Sequence, residues 1–155
     1  MRSCLNLDDE MLKFGTAGKP CAKIEKLPFF NLSHAGDYVV LATAQNEVGV
    51  DIEPVHAYED AVAERCLTPE EHAWRKRRGG KWAFYKLWTA KESVMKATGK
   101  GFTLPPESFC ILPVDDSAHV IERRSWYLDW LYVECHIVCV AVENEREHIA
   151  VSFLR

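Results

Sequence analysis

From residue 29 onward, apolar residues recur in two periods. Phe29-Phe30-Asn31-Leu32-Ser33-His34 reads as a short strand that ends in polar groups, and Ala35-Gly36-Asp37 turns the chain. Tyr38–Ala44 is rich in β-branched and aromatic residues and predicts a second strand. Gln45-Asn46-Glu47 makes a tight connection, so a hairpin is expected into Val48-Gly49-Val50-Asp51-Ile52-Glu53, which Pro54 ends. The middle of the chain changes to helical spacing. Residues 58–66 predict a short helix. Thr68-Pro69-Glu70-Glu71 predicts a helix start, with Thr68 as N-cap, proline in the first turn and glutamate at the third position. That helix runs into Arg75-Lys76-Arg77-Arg78 and stops at Gly79-Gly80. A long helix follows from 81 to 98, closed by Gly99. Strands are expected at 107–112, 117–123, 126–133, 136–142 and 148–154, with turns at 15–20, 113–116 and 143–147. Sheet-forming regions flanking a helical middle predict an α+β fold.

Composition narrows the choice. The chain has 155 residues, 48% of them apolar, which suits one domain or two tightly joined lobes. Nineteen basic and 23 acidic residues give a net charge of −4, which argues against a general nucleic-acid binder. No apolar run approaches the roughly 18 residues of a membrane span. The first ten residues turn acidic without a long apolar stretch, so a cytoplasmic location is the expectation. Six cysteines at 4, 21, 66, 110, 135 and 139 contain no Cys-x-x-Cys pair and read as buried reduced thiols.

Candidate chemistry lies in two places. In a strand, Asp51 and Glu53 point to one face while Ile52 points the other way. Such a pair is either a solvated strand edge or half of a site for a hard divalent cation. In the long helix, Trp88, Glu92 and Lys96 follow at four-residue intervals and share a face. That is either a surface ion pair or a third carboxylate and a lysine presented together. Three acids and a lysine from a strand and a helix suit a metal–phosphate site, provided the two elements meet.

The motifs carry a resemblance. Gly18-Lys19-Pro20, Phe30-Asn31-Leu32-Ser33-His34-Ala35-Gly36, Val48–Glu53, Leu87-Trp88-Thr89-Ala90-Lys91-Glu92-Ser93-Val94-Met95-Lys96 and Gly99-Lys100-Gly101 follow one another in the order of the Sfp-type phosphopantetheinyl transferase family. The chain resembles that family over roughly residues 5 to 155. The small holo-acyl-carrier-protein synthase type carries its Asp motif near the N-terminus. Here Ser33-His34 precedes Asp51, as in the Sfp type.

The resemblance implies the family's α+β fold, an antiparallel sheet packed against a long helix. It implies a single domain over 1–155, with 1–47 the remnant of a truncated N-terminal lobe and 48–155 the C-terminal lobe. A further N-terminal stretch is usual in the family, and the span from Asp51 to Trp88 is somewhat short for it. Self-association could replace the missing part. The implied activity is transfer of the 4'-phosphopantetheine group of coenzyme A to a serine of an acyl or peptidyl carrier protein. Implied metal ligands for Mg2+ are Asp51, Glu53 and Glu92, and implied catalytic residues are Glu92 as general base, Lys96 and Asp51. Coenzyme A is expected to be held by Lys19, Ser33, His34, Lys91 and Lys96. The run Arg75–Arg78 either steers an acidic carrier or complements the helix C-terminus. Two other functions remain to be weighed. A non-catalytic relative that binds coenzyme A or a carrier is the alternative. A metal-dependent phosphohydrolase leaves the Ser33-His34 and Lys91-Glu92-Ser93 blocks unexplained.

Overall fold

The computed structural model describes residues 12–14, 20–22, 28–115, 117–144 and 149–154. Strands β1 (Leu12–Phe14) and β2 (Pro20–Ala22) form a small antiparallel ribbon. Strands β3 (Phe29–Ala35), β4 (Tyr38–Ala44) and β5 (Val48–Pro54) follow. Helices α1 (Asp60–Cys66), α2 (Pro69–Arg78) and α3 (Gly80–Thr98) fill the middle. Strands β6 (His119–Ile121), β7 (Arg124–Val133), β8 (His136–Glu143) and β9 (Ala150–Leu154) complete the order. No helix among the described residues is long and apolar enough to cross a membrane.

Two antiparallel sheets organise the core. One has the order β3-β4-β9 and the other β5-β8-β7-β6. On one face of the larger sheet, Val48, Val50, Ile52, Val138, Val140 and Val142 pack against Tyr38, Val40, Ala42 and Ala44 of β4. On the other face, Ile137, Cys139 and Ala141 pack with Leu87, Ala90, Val94 and Ala97 of α3. The larger sheet therefore lies between the long helix and the smaller sheet. Gly49 makes the close contact of β5 with α3 possible. A Cβ there would overlap the Ser93 carbonyl oxygen and lie 2.5 Å from Ala97 N.

Several expectations are met by local chemistry. Thr68 caps α2, and its own amide donates to Glu71 Oε2 at 2.8 Å while Glu71 N donates to Thr68 Oγ1, which is the reciprocal capping box. Gly99 ends α3 at φ 70°, a left-handed position that suits glycine.

Three expectations are corrected. The segments 38–44 and 48–53 are both strands but not a hairpin. β4 pairs with β3 and β9, while β5 crosses into the other sheet and pairs with β8, Asp51 opposite Cys139. β5 is buried from Val48 to Ile52, so its partners are chosen by packing on both faces and not by its nearest neighbour in sequence. No strand forms at 107–112. Pro106–Ser108 is a turn of 3-10 helix, and buried side chains serve the backbone that follows. Ile111 N donates to Glu71 Oε1 at 2.9 Å, and the Pro106 and Phe109 carbonyls accept from Lys91. The strand expected over 117–123 shortens to His119–Ile121, because Glu122 and Arg123 adopt φ 56° and 64° and turn the chain into β7. β9, from the far end of the chain, hydrogen-bonds to β4.

Candidate active site

The acid-bearing strand and the acid-bearing helix meet. Alternation along β5 turns Gly49, Asp51 and Glu53 toward α3 and puts Ile52, 2% exposed, into the opposite core. Helical spacing brings Glu92 and Lys96 to the same place. Lys96 Nζ lies 2.7 Å from Asp51 Oδ1, 2.9 Å from Ser33 Oγ and 3.2 Å from the Val50 carbonyl oxygen. Ser33 Oγ donates to Asp51 Oδ1 at 3.1 Å and accepts from Ile52 N at 3.3 Å. A parallel contact two residues earlier has Val50 N donating to Asn31 Oδ1 at 2.9 Å. Thus β3 is fastened to β5 by side chains where a backbone ladder would otherwise run.

The electrostatics are those of crowded, poorly solvated acids. Burial pushes the Glu92 carboxyl up to about 7, with Asp51 and Glu53 adding to the effect and Lys96 opposing it. Burial and then Asp51 also raise Glu53, against a hydrogen bond from Trp88 and the positive charges of Lys96 and His56. Asp51 is 4% exposed, and its Oδ2 is buried with no hydrogen-bond partner. An orphaned carboxylate oxygen beside two acids that resist ionisation calls for more positive charge than Lys96 supplies. All-oxygen donors of this kind suit a hard divalent cation. Among the described residues no three His, Cys, Asp or Glu side chains converge closely enough to hold a metal as they stand. The Lys96 ammonium takes the Asp51 Oδ1 position.

The sequence-predicted residues divide. Asp51, Lys96 and Ser33 are in mutual contact, and Glu53 and Glu92 are coupled to Asp51 electrostatically. Ser33 and His34 do not form one ligand-facing pair. Ser33 is 8% exposed and turned into the cluster, whereas His34 is exposed on the other face of β3. Lys19 lies outside the described residues. Trp88 is half-buried and lies nearly parallel to Phe84, ring centroids 6.5 Å apart.

Lys91 is corrected. It sits one residue before Glu92, about 100° round the helix, and is fully buried away from the cluster. Its Nζ lies 2.8 Å from Glu71 Oε2, 2.7 Å from the Pro106 carbonyl oxygen and 2.5 Å from that of Phe109. Burial lowers its pKa and Glu71 opposes that shift. With its ammonium so committed, Lys91 has no donor left for a ligand at Asp51.

Sequence reasoning missed Glu71 as Lys91's partner and Gly49 as the contact that seats α3. Glycine inside a strand is a signal of close backbone approach. It also missed Ser93, whose hydroxyl bonds the Thr89 carbonyl at 2.6 Å and that of Cys139 at 2.8 Å, tying α3 to β8.

The profile of the 4'-phosphopantetheinyl transferase superfamily matches residues 47–151. The chain is 35% identical over 112 residues to the 4'-phosphopantetheinyl transferase gsp of Aneurinibacillus migulanus, covering 69% of this chain and 46% of that protein. It is 35% identical over 123 residues to the 4'-phosphopantetheinyl transferase Sfp of Bacillus subtilis (strain 168), covering 75% and 54%. Identity to the 4'-phosphopantetheinyl transferase AcpT of Salmonella typhimurium is 33% over 92 residues, covering 56% and 48%. The chain spans about half the length of the curated relatives it matches. The matched residues include the Asp51–Glu53 strand and the Glu92–Lys96 helix, and the chain belongs to the 4'-phosphopantetheinyl transferase superfamily.

Proposed function

We propose that this chain carries out Mg2+-dependent transfer of the 4'-phosphopantetheine group of coenzyme A to a serine of an acyl or peptidyl carrier protein. The observation that carries the reading is the acid cluster: Asp51 Oδ2 orphaned and buried, with Glu53 and Glu92 both raised by burial and by Asp51. Asp51, Glu53 and Glu92 would hold the magnesium ion, which when bound neutralises charge on the pyrophosphate of coenzyme A. Lys96, displaced from Asp51 Oδ1, would turn its ammonium to the phosphoryl oxygens on which charge builds. His34 and Lys19 would bind the nucleotide end. Ser33, held between Lys96 and Asp51, would position both.

In the reaction the serine oxygen forms a bond to the β-phosphorus while the bond from that phosphorus to the bridging oxygen breaks. The leaving group is 3',5'-adenosine bisphosphate. Glu92 would take the serine proton, directly or through a water. Self-association and a cytoplasmic setting are compatible with this activity and form part of the proposal.

The test is intact mass of several apo acyl and peptidyl carriers after incubation with the chain, coenzyme A and Mg2+. The expected result is a gain of one phosphopantetheine mass, lost with chelator. No gain with any carrier, while coenzyme A binding is retained, would overturn the transferase reading in favour of a binding relative.

A further inference from the structure

A second surface stands apart from the acid cluster, at the elbow where α2 passes into α3. Between Glu71 and Glu92 the sequence has no acidic residue, yet it carries Arg75, Lys76, Arg77, Arg78, Lys81, Lys86 and Lys91 in a chain whose net charge is −4. Arg75 is paired with Asp60 at 2.8 Å and Lys91 with Glu71. Lys76, Arg77, Arg78, Lys81 and Lys86 form no ion pair with a described carboxylate. Among the described residues these five cations thus stand outside any ion pair, with Asp60 near enough to Lys76 to feel its charge.

Two open grooves meet at Gly79. The first, of about 470 Å3, is lined by Tyr58, Lys76, Lys81 and the Arg75–Asp60 ion pair among others, so its cations outnumber its one acid. The second, of about 320 Å3, is lined by Trp74, Arg78, Trp82, Lys86 and Tyr132 among others. Gly79 and Gly80 at the junction present no side chain, so the passage between the grooves is not obstructed there. Trp82 is 41% and Tyr132 56% exposed, with ring centroids 6.0 Å apart. Arg78 lies over Trp74 at 5.6 Å and Lys86 over Trp130 at 4.9 Å. The aromatic faces hold these cations in place without neutralising them.

We propose that this elbow is a docking surface for an acidic protein segment that carries an aromatic or aliphatic anchor. Charge complementarity selects the acidic segment. The exposed Trp82–Tyr132 pair beside arginine has the composition of an interface anchor site, where tryptophan, tyrosine and arginine contribute most of the binding energy. Two adjoining grooves that share Gly79 suit a segment long enough to reach both better than a compact anion. The site is separate from the proposed reaction centre. Lys86 leans on β7, whereas Lys96 touches Asp51 on β5, and β8 lies between those strands. The inference therefore does not depend on the transfer activity.

The test uses the whole chain and fluorescence anisotropy of a labelled Glu/Asp-rich peptide with a central Leu-Phe pair. Two probes serve as controls: the same acidic peptide without Leu-Phe, and a thymidine oligonucleotide. Saturable binding of the anchored acidic peptide is expected, falling about tenfold as salt rises through the range where exposed charges are screened. The Arg78→Glu/Lys86→Glu double variant should weaken binding about tenfold or more, and so should Trp82→Ala or Tyr132→Ala. Unchanged far-UV circular dichroism in at least one variant separates docking from folding. Absence of saturable binding would overturn the proposal, as would equal binding of the peptide without Leu-Phe. Tighter binding of the oligonucleotide, or affinity indifferent to all these substitutions, would overturn it too.

Discussion

Lys91 Nζ and Glu71 Oε2 lie 2.8 Å apart with both side chains fully buried, and between them they fasten α2, α3 and the 106–111 segment. Such a pair is costly to break on one side, because the surviving charge is left in a low-dielectric interior. Lys91→Met alone should destabilise the chain by about 3–5 kcal/mol, measured by urea denaturation. Adding Glu71→Gln should recover part of that loss, since no buried charge then remains and the glutamine still offers an acceptor to the cap. If Lys91→Met unfolded at the native urea midpoint, the burial of this pair would be wrong.

Asp51 is the residue that the proposed chemistry uses most. Asp51→Asn keeps the shape of the side chain and removes the charge that Lys96 and a cation compete for. Carrier modification should fall by about 100-fold or more, in line with removal of one preorganised electrostatic contact. Circular dichroism should stay that of the native chain. Near-native turnover would show that the acid cluster is not the reaction centre.

Glu92 predicts a pH dependence. Its carboxyl is raised from 4.5 to about 7, so the folded, metal-free chain keeps a proton that the unfolded chain releases. The contribution to stability is complete below about 4.5 and is lost as pH rises through about 7, because above the unfolded value the unfolded state binds fewer protons. In chelator, urea midpoints should therefore decline across this window, and Glu92→Gln should flatten the decline. Added Mg2+ should act in the opposite sense, binding more tightly as pH rises because the proton must leave first. A variant with the same slope as the native chain would assign the titration elsewhere.

Gly49 predicts a steric effect. An added methyl group would meet the Ser93 carbonyl and Ala97 N, both backbone atoms of a helix that cannot flex away locally. Gly49→Ala should cost about 1–3 kcal/mol as overpacking. It should also lower carrier modification, since α3 carries Glu92 and Lys96. A thermal melt as high as that of the native chain would show that α3 yields more readily than this packing allows.

What could be read in the sequence was local. The start of α2 follows from a cap that involves only Thr68–Glu71. The shared face of Asp51 and Glu53 follows from the pleat, and the stripe of Glu92 and Lys96 from the helical period. The partner of β5 was not legible, because Asp51 sits opposite Cys139 and nothing within β5 encodes that distant strand. The 107–112 segment misled because its apolar residues resemble a strand, while its backbone is served by Glu71 and Lys91. The resemblance gives Lys91 to the ligand, and its burial against Glu71 is not legible in the motif. Neighbours on a helix diverge by about 100°, and here that angle separates the acid cluster from the buried Glu71–Lys91 pair.

The junction of β3 with β5 has a further consequence. Ser33 Oγ is at once the acceptor that holds the Ile52 amide and a partner of Asp51 and Lys96. Occupancy of the cluster and closure of the inter-sheet seam therefore share an atom and are thermodynamically linked. A ligand that draws Asp51 and Lys96 apart must also renegotiate the bond to Ile52, so the exchange rate of that single amide proton is a reporter of events on the far side of the strand.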